Sequence, residues 1–260
     1  MPRVMILLPT YNEAENLADM VHTLLALPID DLEIMVLDDN SPDGTGQIAD
    51  ELAAEHPGRV HVVHRPRKEG LGRAYQDGYD RALATDAEYI VQMDCDFSHP
   101  PDKLPEMIAR AQEPGVDVVI GSRYVRGGSL DSEWGWHRKL LSRFANQIYV
   151  RTILRVGVQD ATGGFRVWSR HVLEAIDRNI IRSNGYIFQT EMAYVTERLG
   201  FNTVEIPIHF SERREGTSKM SFKVQAEAAL RVWQVWWRHR KLTPADRRPV
   251  STTSLQENPS

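Results

Sequence analysis

Short apolar runs alternate with amphipathic segments along the first half of the chain. Continuous apolar runs of four to eight residues are typical of strands buried on both faces of a sheet. Apolar residues that recur three and four positions apart are typical of helices. The predicted strands are 4–8, 34–37, 60–64, 89–93 and 116–120, and the predicted helices are 12–25, 48–54, 74–84 and 104–111. This alternation predicts an α/β fold with a largely parallel sheet flanked by helices.

The second half of the chain has a weaker pattern. Alternating apolar residues predict a strand over 203–210, and helices are predicted over 138–154 and 190–199, with a tight loop at 160–166. An apolar stripe predicts a last helix over 222–242. The remainder, 243–260, is rich in Ser, Thr and Pro and is predicted to be a disordered tail. The predicted catalytic domain is therefore 1–242.

Two aspartates one residue apart follow the predicted strand 89–93. Residues i and i+2 of an extended chain point to the same side, so Asp94 and Asp96 can face one cavity while Cys95 points into the core. Two carboxylates suit Mg²⁺ or Mn²⁺, which bind carboxylates together with substrate phosphates. A polar turn after a strand would have the same composition, so the pair alone does not establish a metal site.

Polar segments also follow the other predicted strands. In open parallel sheets ligands bind beyond the carboxyl ends of the strands. The segments at those ends are 9–13, 38–45, 65–72 and 94–98, together with Arg123. Five polar segments on one edge are more than turns require, which predicts a binding site there.

Composition narrows the function. The chain has 260 residues with a formal net charge of −5, so no overall charge attracts nucleic acid. Its one cysteine excludes an internal disulfide and fits a reducing compartment. No apolar run approaches the length of a signal peptide or a membrane span, which predicts a soluble or peripheral protein.

Two glycine-containing loops carry cations. The loop 65–72 contains Gly70 and Gly72, but Tyr75 stands where a dinucleotide-binding GxGxxG pattern has its third glycine, which disfavours a dehydrogenase. The loop 211–221 carries Arg213 and Lys219 beside small hydroxyl and glycine residues. Such a segment is either a solvated surface or a phosphate-binding loop.

The predicted helix 222–242 combines tryptophans with cations. Trp233, Trp236 and Trp237 fall on one stripe, and Lys and Arg concentrate at the end of the helix. This composition is typical of a helix lying in a membrane interface. A helix packed in the core would account for the stripe equally well.

Six motifs occur in a characteristic order: PTYNE, DDNSPDGT, DCDFSHPP, GSRY, DATGGFR and FSERREGTSKMS. With these motifs the chain resembles, over about 4–241, the polyprenyl-phosphate (dolichol-phosphate) mannose synthases. These are inverting family 2 glycosyltransferases of the GT-A fold, and the chain most resembles the form without transmembrane helices.

The resemblance implies a nucleotide-sugar site. Its expected residues are Pro9, Tyr11, Glu13, Val36, Asp38, Asp94, Cys95, Asp96, Arg123, Arg213 and Lys219. Asp94 and Asp96 are the expected metal ligands, and Asp96, Arg123 and Arg213 are the expected catalytic residues. Some relatives have Gln where this chain has Ser98, and whether Ser98 assists the metal stays open.

The resemblance also implies an activity, which is transfer of mannose from GDP-mannose to a polyprenyl phosphate with inversion. The expected partners are those substrates, a membrane surface and a separate integral-membrane anchor protein, with the enzyme on the cytoplasmic face. Arg138 and Arg166 are candidates to receive the lipid phosphate or are surface charges, and His99 is expected to brace its loop. Alternatives are a UDP-glucose-dependent glucosyltransferase and a nucleotide-sugar-binding scaffold without activity.

Overall fold

A computed structural model describes residues 2–131, 149–211 and 222–249. The strands in these ranges are β1 (Val4–Thr10), β2 (Leu32–Asp38), β3 (Val60–His64), β4 (Tyr89–Gln92), β5 (Val118–Ser122), β6 (Ser129–Leu130), β7 (Arg166–Ser169), β8 (Thr203–Pro207) and β9 (His209–Phe210). Seven of them form one sheet in the order β3-β2-β1-β4-β7-β5-β8, and β6 pairs with β9. Only β7 runs antiparallel to its neighbours in that sheet. The predicted, largely parallel α/β fold is confirmed.

Helices cover both faces of the sheet. They are α1 (Leu17–Leu25), α2 (Thr45–Glu55), α3 (Leu71–Leu83), α4 (Leu104–Ala111), α5 (Arg151–Leu154), α6 (Arg170–Ala175), α7 (Tyr186–Arg198) and α8 (Phe222–His239). Successive strand residues point to opposite faces. In β1, Ile6 and Leu8 therefore join a core with α1, α2 and α4, while Met5 and Leu7 join a second core with α3 and α5–α8.

Strand β7 was not predicted from the sequence, which indicated only a loop ending at Arg166. The strand has four residues, too few to establish a periodicity, and it begins with a charged side chain. Arg166 is fully buried, and its guanidinium donates to the main-chain carbonyls of Gly163, Ala161 and Gln189 at 2.9–3.0 Å. Burial lowers its pKa to about 10. Arg166 therefore supports the fold and is not a surface charge, while its Nη1 is buried without a hydrogen-bond partner among the described residues.

Two of the differences between predicted and observed boundaries have a clear physical cause. Helix α1 begins at Leu17, because Asn12 has a left-handed backbone (φ 60°) and the chain first turns over the carbonyl of Glu13, which accepts from Asn16 and Leu17 at 3.0 and 2.9 Å. The predicted strand 203–210 is split into β8 and β9 after Pro207, which has no N–H to donate to a ladder.

Residues 243–249, predicted as the start of a disordered tail, have defined contacts. Residues 243–249 lie on the catalytic body, where Arg247 donates to the carbonyls of Leu199 and Gly200 at 2.7 and 2.9 Å. Its guanidinium also lies 4.1 Å from the ring centroid of Phe201. The part of the tail from 250 onward, and most of the predicted helix 138–154, lie outside the described residues. No helix in the described ranges is long and apolar enough to cross a membrane.

Candidate active site

The five polar segments meet at one edge of the sheet, as predicted. Strands β1–β5 share one direction, so the segments that follow them lie beyond the same edge. Because β7 is antiparallel, the residues that precede it, 160–165, reach this edge as well. The antiparallel strand thus adds a sixth segment that the sequence did not reveal.

The first two segments are tied together by hydrogen bonds. Asp38 accepts from Thr10 Oγ1 at 3.3 Å and from Ser41 Oγ at 2.5 Å. The N–H of Glu13 donates to Thr45 Oγ1 at 2.9 Å. Hydrogen bonds therefore fix the two segments against each other beside the ends of β1 and β2.

The sequence-predicted residues of these segments differ in exposure. Tyr11 and Glu13 are half-buried beyond the end of β1, and Pro9 lies within it. Val36 lies inside β2, where its side chain belongs to the core. Any contact of Val36 with a nucleotide would therefore pass through its main chain.

The third segment closes over the first. Lys68 Nζ lies 3.4 Å from the ring centroid of Tyr11, a distance at which a cation is attracted to an aromatic face. Arg65 forms a buried ion pair with Asp39. Burial raises the pKa of Asp39, and Arg65 offsets part of that rise. Cations of this basic loop thus lie directly against the segments after β1 and β2.

The acidic pair occupies a tight, strained loop after β4. The N–H of Asp94 donates to His99 Nδ1 at 2.9 Å, and Asp96 Oδ1 accepts the N–H of Ser98 at 3.1 Å. Phe97 has φ 61°, a conformation that costs a bulky residue about 1–3 kcal/mol. Strain of this kind clusters at functional sites.

Cys95 points away from the two aspartates. Its side chain is buried in the core with α1 and α4, as the alternation predicted, and burial raises the pKa of the thiol well above its usual value. The thiol is therefore unsuited to nucleophilic chemistry or to binding a donor.

The residues of this loop fit a divalent cation. Asp94 is half-buried and Asp96 is buried, so both supply hard oxygen ligands at the end of β4. Ser98 Oγ is also buried and has no hydrogen-bond partner among the described residues. A hydroxyl without a partner beside two carboxylates suits a cation or its bound water.

His99 braces the loop. Its ring stacks on Phe165 with centroids 5.3 Å apart and meets Phe210 edge-on at 5.6 Å. Burial lowers its pKa, so the imidazole is neutral near pH 7. Since Nδ1 accepts from the main chain of Asp94, the proton lies on Nε2 and Nδ1 is not available as a base.

Arg123 is held by a carboxylate that the sequence did not identify as part of the site. Its Nε and Nη2 donate to the two carboxylate oxygens of Asp160 at 2.7 and 2.6 Å, and its main-chain N–H donates to the same group at 3.0 Å. Nη2 also contacts Thr162 Oγ1 at 2.7 Å. Burial would raise the pKa of Asp160, but Arg123 outweighs it and holds the pKa below its usual value. The pair fixes Arg123 in one orientation.

Gln189 is a second residue that sequence reasoning missed. It is buried, and neither its amide oxygen nor its amide nitrogen has a partner among the described residues. A Cβ built on Gly164 would lie 3.5 Å from His99 Nε2 and 3.8 Å from Gln189 Nε2, so both side chains surround this glycine. A glutamine inside an amphipathic helix carries no sequence signal of such a position.

Two of the predicted site residues lie outside the described residues. These are Arg213 and Lys219 of the late loop, and Arg138 is outside as well. Phe210, at the start of that loop, lies 5.2 Å from the guanidinium of Arg123. The end of β9 therefore lies close to Arg123 at the edge that carries the other segments.

One further group could hold a metal ion, but it lies elsewhere. Ligand atoms of His22, Glu55 and His56 fall within 4.8 Å of one another. His22 is near the end of α1, and the other two are at the end of α2. Helices that connect parallel strands run back to the opposite edge, so this group is remote from the acidic pair.

Helix α8 has one buried and one exposed apolar face. Val232 and Val235 pack into the core, whereas Leu230, Trp233 and Trp237 are 69%, 53% and 67% exposed. The guanidinium of Arg240 lies 3.4 Å from the ring centroid of Trp237. Within the predicted stripe, Leu230, Trp233 and Trp237 are exposed and Trp236 is half-buried against the core, whereas the buried face carries Val232 and Val235, which the sequence analysis did not place on the stripe. The outer face, consisting of Leu230, Trp233 and Trp237, is called the tryptophan face below.

Comparison with known proteins gives a consistent result. The model of the glycosyl transferase family 2 matches residues 5–177. The chain is 46% identical over 231 residues to a polyprenol monophosphomannose synthase from Mycolicibacterium smegmatis, covering 88% of this chain and 85% of that protein. It is 44% identical to an undecaprenyl-phosphate mannosyltransferase from Micrococcus luteus, covering 88% of this chain and 92% of that protein.

Solved structures share the fold at lower identity. A mannosyltransferase from Pyrobaculum calidifontis, in complex with GDP-Man and Mn²⁺, has a TM-score of 0.64 and 20% identity, covering 94% of this chain and 66% of that one. A mannosyl-3-phosphoglycerate synthase from Rubrobacter xylanophilus has a TM-score of 0.63 and 19% identity, covering 98% and 79%.

Proposed function

The chain belongs to glycosyl transferase family 2, and we propose that it transfers mannose from GDP-mannose to a polyprenyl phosphate with inversion. The observation that carries this proposal is the 46% identity, over 88% of the chain, to a protein named polyprenol monophosphomannose synthase. The acidic pair at the end of β4, with the nucleotide-side segments beside it, is the site at which the reaction takes place.

Departure of GDP requires neutralisation of its diphosphate. A divalent ion held by Asp94 and Asp96 supplies that charge when bound, and relatives of the fold have Mn²⁺ in their structures. Either Mg²⁺ or Mn²⁺ suits carboxylate ligands. Ser98 Oγ, which is buried beside Asp96, is available as a further ligand or through a water. Arg213 and Lys219 of the late loop add cations to the same diphosphate.

The remaining nucleotide-side residues bind and orient the donor. Tyr11, Glu13 and Asp38 line the segments after β1 and β2, and Lys68 against Tyr11 contributes a cation. Arg123 stays beside the donor sugar in the orientation that Asp160 imposes. The Asp160 carboxylate balances the charge of Arg123. Arg123 therefore orients the donor by hydrogen bonding more than it neutralises the charge of the donor.

The acceptor supplies its own nucleophile. The second pKa of a phosphate monoester is near 6, so the group is largely a dianion at neutral pH and needs no strong protein base. A phosphate oxygen bonds to the anomeric carbon while the bond from that carbon to GDP breaks and its electron pair leaves with GDP. Attack opposite the leaving group converts an α-linked donor into a β-linked product. His99, whose Nδ1 is occupied, fits a site without a general base.

The lipid acceptor requires the enzyme to work at a membrane surface. The exposed tryptophan face of α8, with Arg240 beside it, supports peripheral docking on a membrane. Our proposal places this docking on the cytoplasmic face. Indole rings favour the membrane interface, and each cation near an anionic leaflet adds about 1 kcal/mol. A separate integral-membrane anchor protein would strengthen this reversible attachment.

A donor and acceptor panel tests the proposal. The purified chain is incubated with a short polyprenyl phosphate, radiolabelled GDP-mannose or UDP-glucose, and Mg²⁺ or Mn²⁺. We expect label in the lipid from GDP-mannose with either metal. Preference for UDP-glucose would support the glucosyltransferase alternative, and nucleotide binding without any transfer would support a scaffold.

A further inference from the structure

The buried carboxylate of Glu191 joins α8 to the segment before α7. Its Oε1 accepts from His239 Nε2 at 2.7 Å and from the guanidinium of Arg238, both at the end of α8. Its Oε2 accepts the main-chain N–H groups of Ser183 and Arg182 at 2.6 and 3.1 Å. Glu191 is fully buried. One buried anion therefore has two hydrogen-bond donors from each of two separate elements.

The ionised form of Glu191 is the stable one. Burial alone would raise the pKa of its carboxyl, but hydrogen bonds from His239 and Ser183 outweigh burial and hold the pKa below its usual value. A buried charge that loses its donors is strongly destabilised. If the end of α8 is displaced, the segment 182–183 must move with it. Otherwise the Glu191 carboxylate loses some of its hydrogen-bond donors.

The residue after this segment, Asn184, is hydrogen-bonded to the basic loop before α3. Asn184 Oδ1 accepts the N–H of Gly72 at 2.9 Å, and its Nδ2 donates to the carbonyl of Glu69. Gly70 has φ 96°, and a Cβ added there would lie 2.5 Å from the Asn184 amide. A Cβ on Gly72 would lie 2.9 Å from the carbonyl of Ser183. The two segments are packed too closely to move independently.

The basic loop in turn reaches the nucleotide side of the site. Lys68 lies over Tyr11, and Arg65 pairs with Asp39. Hydrogen-bonded and packed groups thus connect the helix that carries the tryptophan face to the cation above Tyr11. A physical coupling needs such contacts and a difference in ligand affinity between two arrangements.

We propose that Glu191 is a positioning residue that couples α8 to the basic loop 65–72, so that docking of the tryptophan face on a bilayer strengthens nucleotide binding. This inference rests on the proposed function for its membrane and its nucleotide. By thermodynamic linkage, nucleotide must strengthen bilayer binding by the same factor. The enzyme would then bind its donor best where its acceptor is present.

The test measures nucleotide binding, without transfer. The dissociation constant of GDP in the presence of Mn²⁺ is measured by calorimetry for the full chain, with and without phosphatidylglycerol-containing vesicles. For the unmodified protein we expect vesicles to lower the constant between about fivefold and a hundredfold, the usual range of such couplings. An unchanged constant, with the protein bound to the vesicles, would overturn the proposal.

Variants separate coupling from folding. Glu191→Gln is expected to remain bound to vesicles and to lose the vesicle effect on GDP binding. Glu197→Gln is the matched control, because Glu197 lies on the same helix and its carboxylate also accepts two main-chain N–H groups, from Gly157 and Val158. The control is expected to keep the effect. A folded Glu191→Gln protein with the full vesicle effect would overturn the proposal.

If Glu191→Gln fails to fold, a second variant tests the coupling between α8 and the basic loop. Asn184→Ala removes the next connection at a half-buried side chain, and the variant is expected to fold, to bind vesicles and to lose the vesicle effect. Retention of the effect by this variant would overturn the coupling. If the protein binds UDP in preference to GDP, the proposed donor is wrong, and the coupling is measured with UDP instead.

Discussion

Arg123 and Asp160 form a buried ion pair at the edge of the candidate site. Arg123 could be identified from the GSRY motif, because it follows a predicted strand. Its partner could not, since 37 residues separate them and only the antiparallel strand β7 brings them together. The aspartates at the end of β4 were predictable because their positions depend on local alternation alone. Gln189, in contrast, stands out only because its buried amide has no hydrogen-bond partner among the described residues.

The Asp160 carboxylate predicts a specific pH dependence. Its pKa is lowered in the folded protein, so its stabilising effect is present above the unfolded value of about 3.9 and is lost as the pH falls through the folded value. Asp160→Asn removes one member of a buried pair, which typically costs about 3–5 kcal/mol near pH 7. In urea unfolding, we expect the difference from the unmodified protein to shrink below about pH 4. A difference that stays constant from pH 7 to pH 3, or one equal to that of the exposed control Asp80→Asn, would contradict this assignment.

Loss of the Asp96 carboxylate tests the metal site. Asp96→Ala should reduce turnover at least about a hundredfold, because loss of electrostatic stabilisation at a leaving group has effects of this size. Asp102→Ala, at an exposed aspartate nearby, is the control and should keep its activity. Chelation should abolish turnover of the unmodified protein, and added Mn²⁺ should restore it. Full turnover in excess chelator, together with an active Asp96→Ala protein, would show that no metal is needed.

Among the elements, α8 combines a packing role with an exposed apolar face. The tryptophan stripe could be predicted from the sequence, but the buried face of the helix could not. Val232 and Val235 face the core only because α8 lies against α7 and α5. Strand β7 and the ordered residues 243–249 were likewise not predictable, since both depend on contacts with distant segments. The first five strands were predictable because each is a short, mostly apolar run bounded by polar or turn residues.

The tryptophan face predicts salt-sensitive membrane binding. Partial burial of two indoles gives a few kcal/mol, on the order of the apolar area term, and cations add attraction to anionic lipid. The double variant Trp233→Ser/Trp237→Ser should therefore no longer sediment with anionic vesicles. Its melting temperature should hardly change, because both side chains are exposed. Gln234→Ser, on the same exposed surface, should bind as the unmodified protein does. Unfolding of the double variant would instead place these tryptophans in the core.

At the scale of the whole molecule, the candidate site and the exposed tryptophan face lie on different parts of the fold, one at an edge of the sheet and the other on helix α8. The edge gathers the segments proposed to bind donor and metal, and α8 carries the exposed face proposed to dock on the membrane that holds the acceptor. The order of the motifs along the chain was sufficient to predict this type of enzyme, and the similarity over 88% of the chain agrees with it. The connection between the two sites through Glu191 needed the structure, because the contacts join residues 47 and 48 positions apart.

The chemical identity of the lipid product tests the central claim most directly. The full chain is incubated with GDP-mannose, Mn²⁺ and a short polyprenyl phosphate, and the lipid fraction is analysed by mass spectrometry and by NMR of the anomeric carbon. We predict a single mannose joined to the lipid phosphate in the β configuration. An α-linked product would contradict inversion, and release of free mannose without any glycolipid would contradict the proposed acceptor.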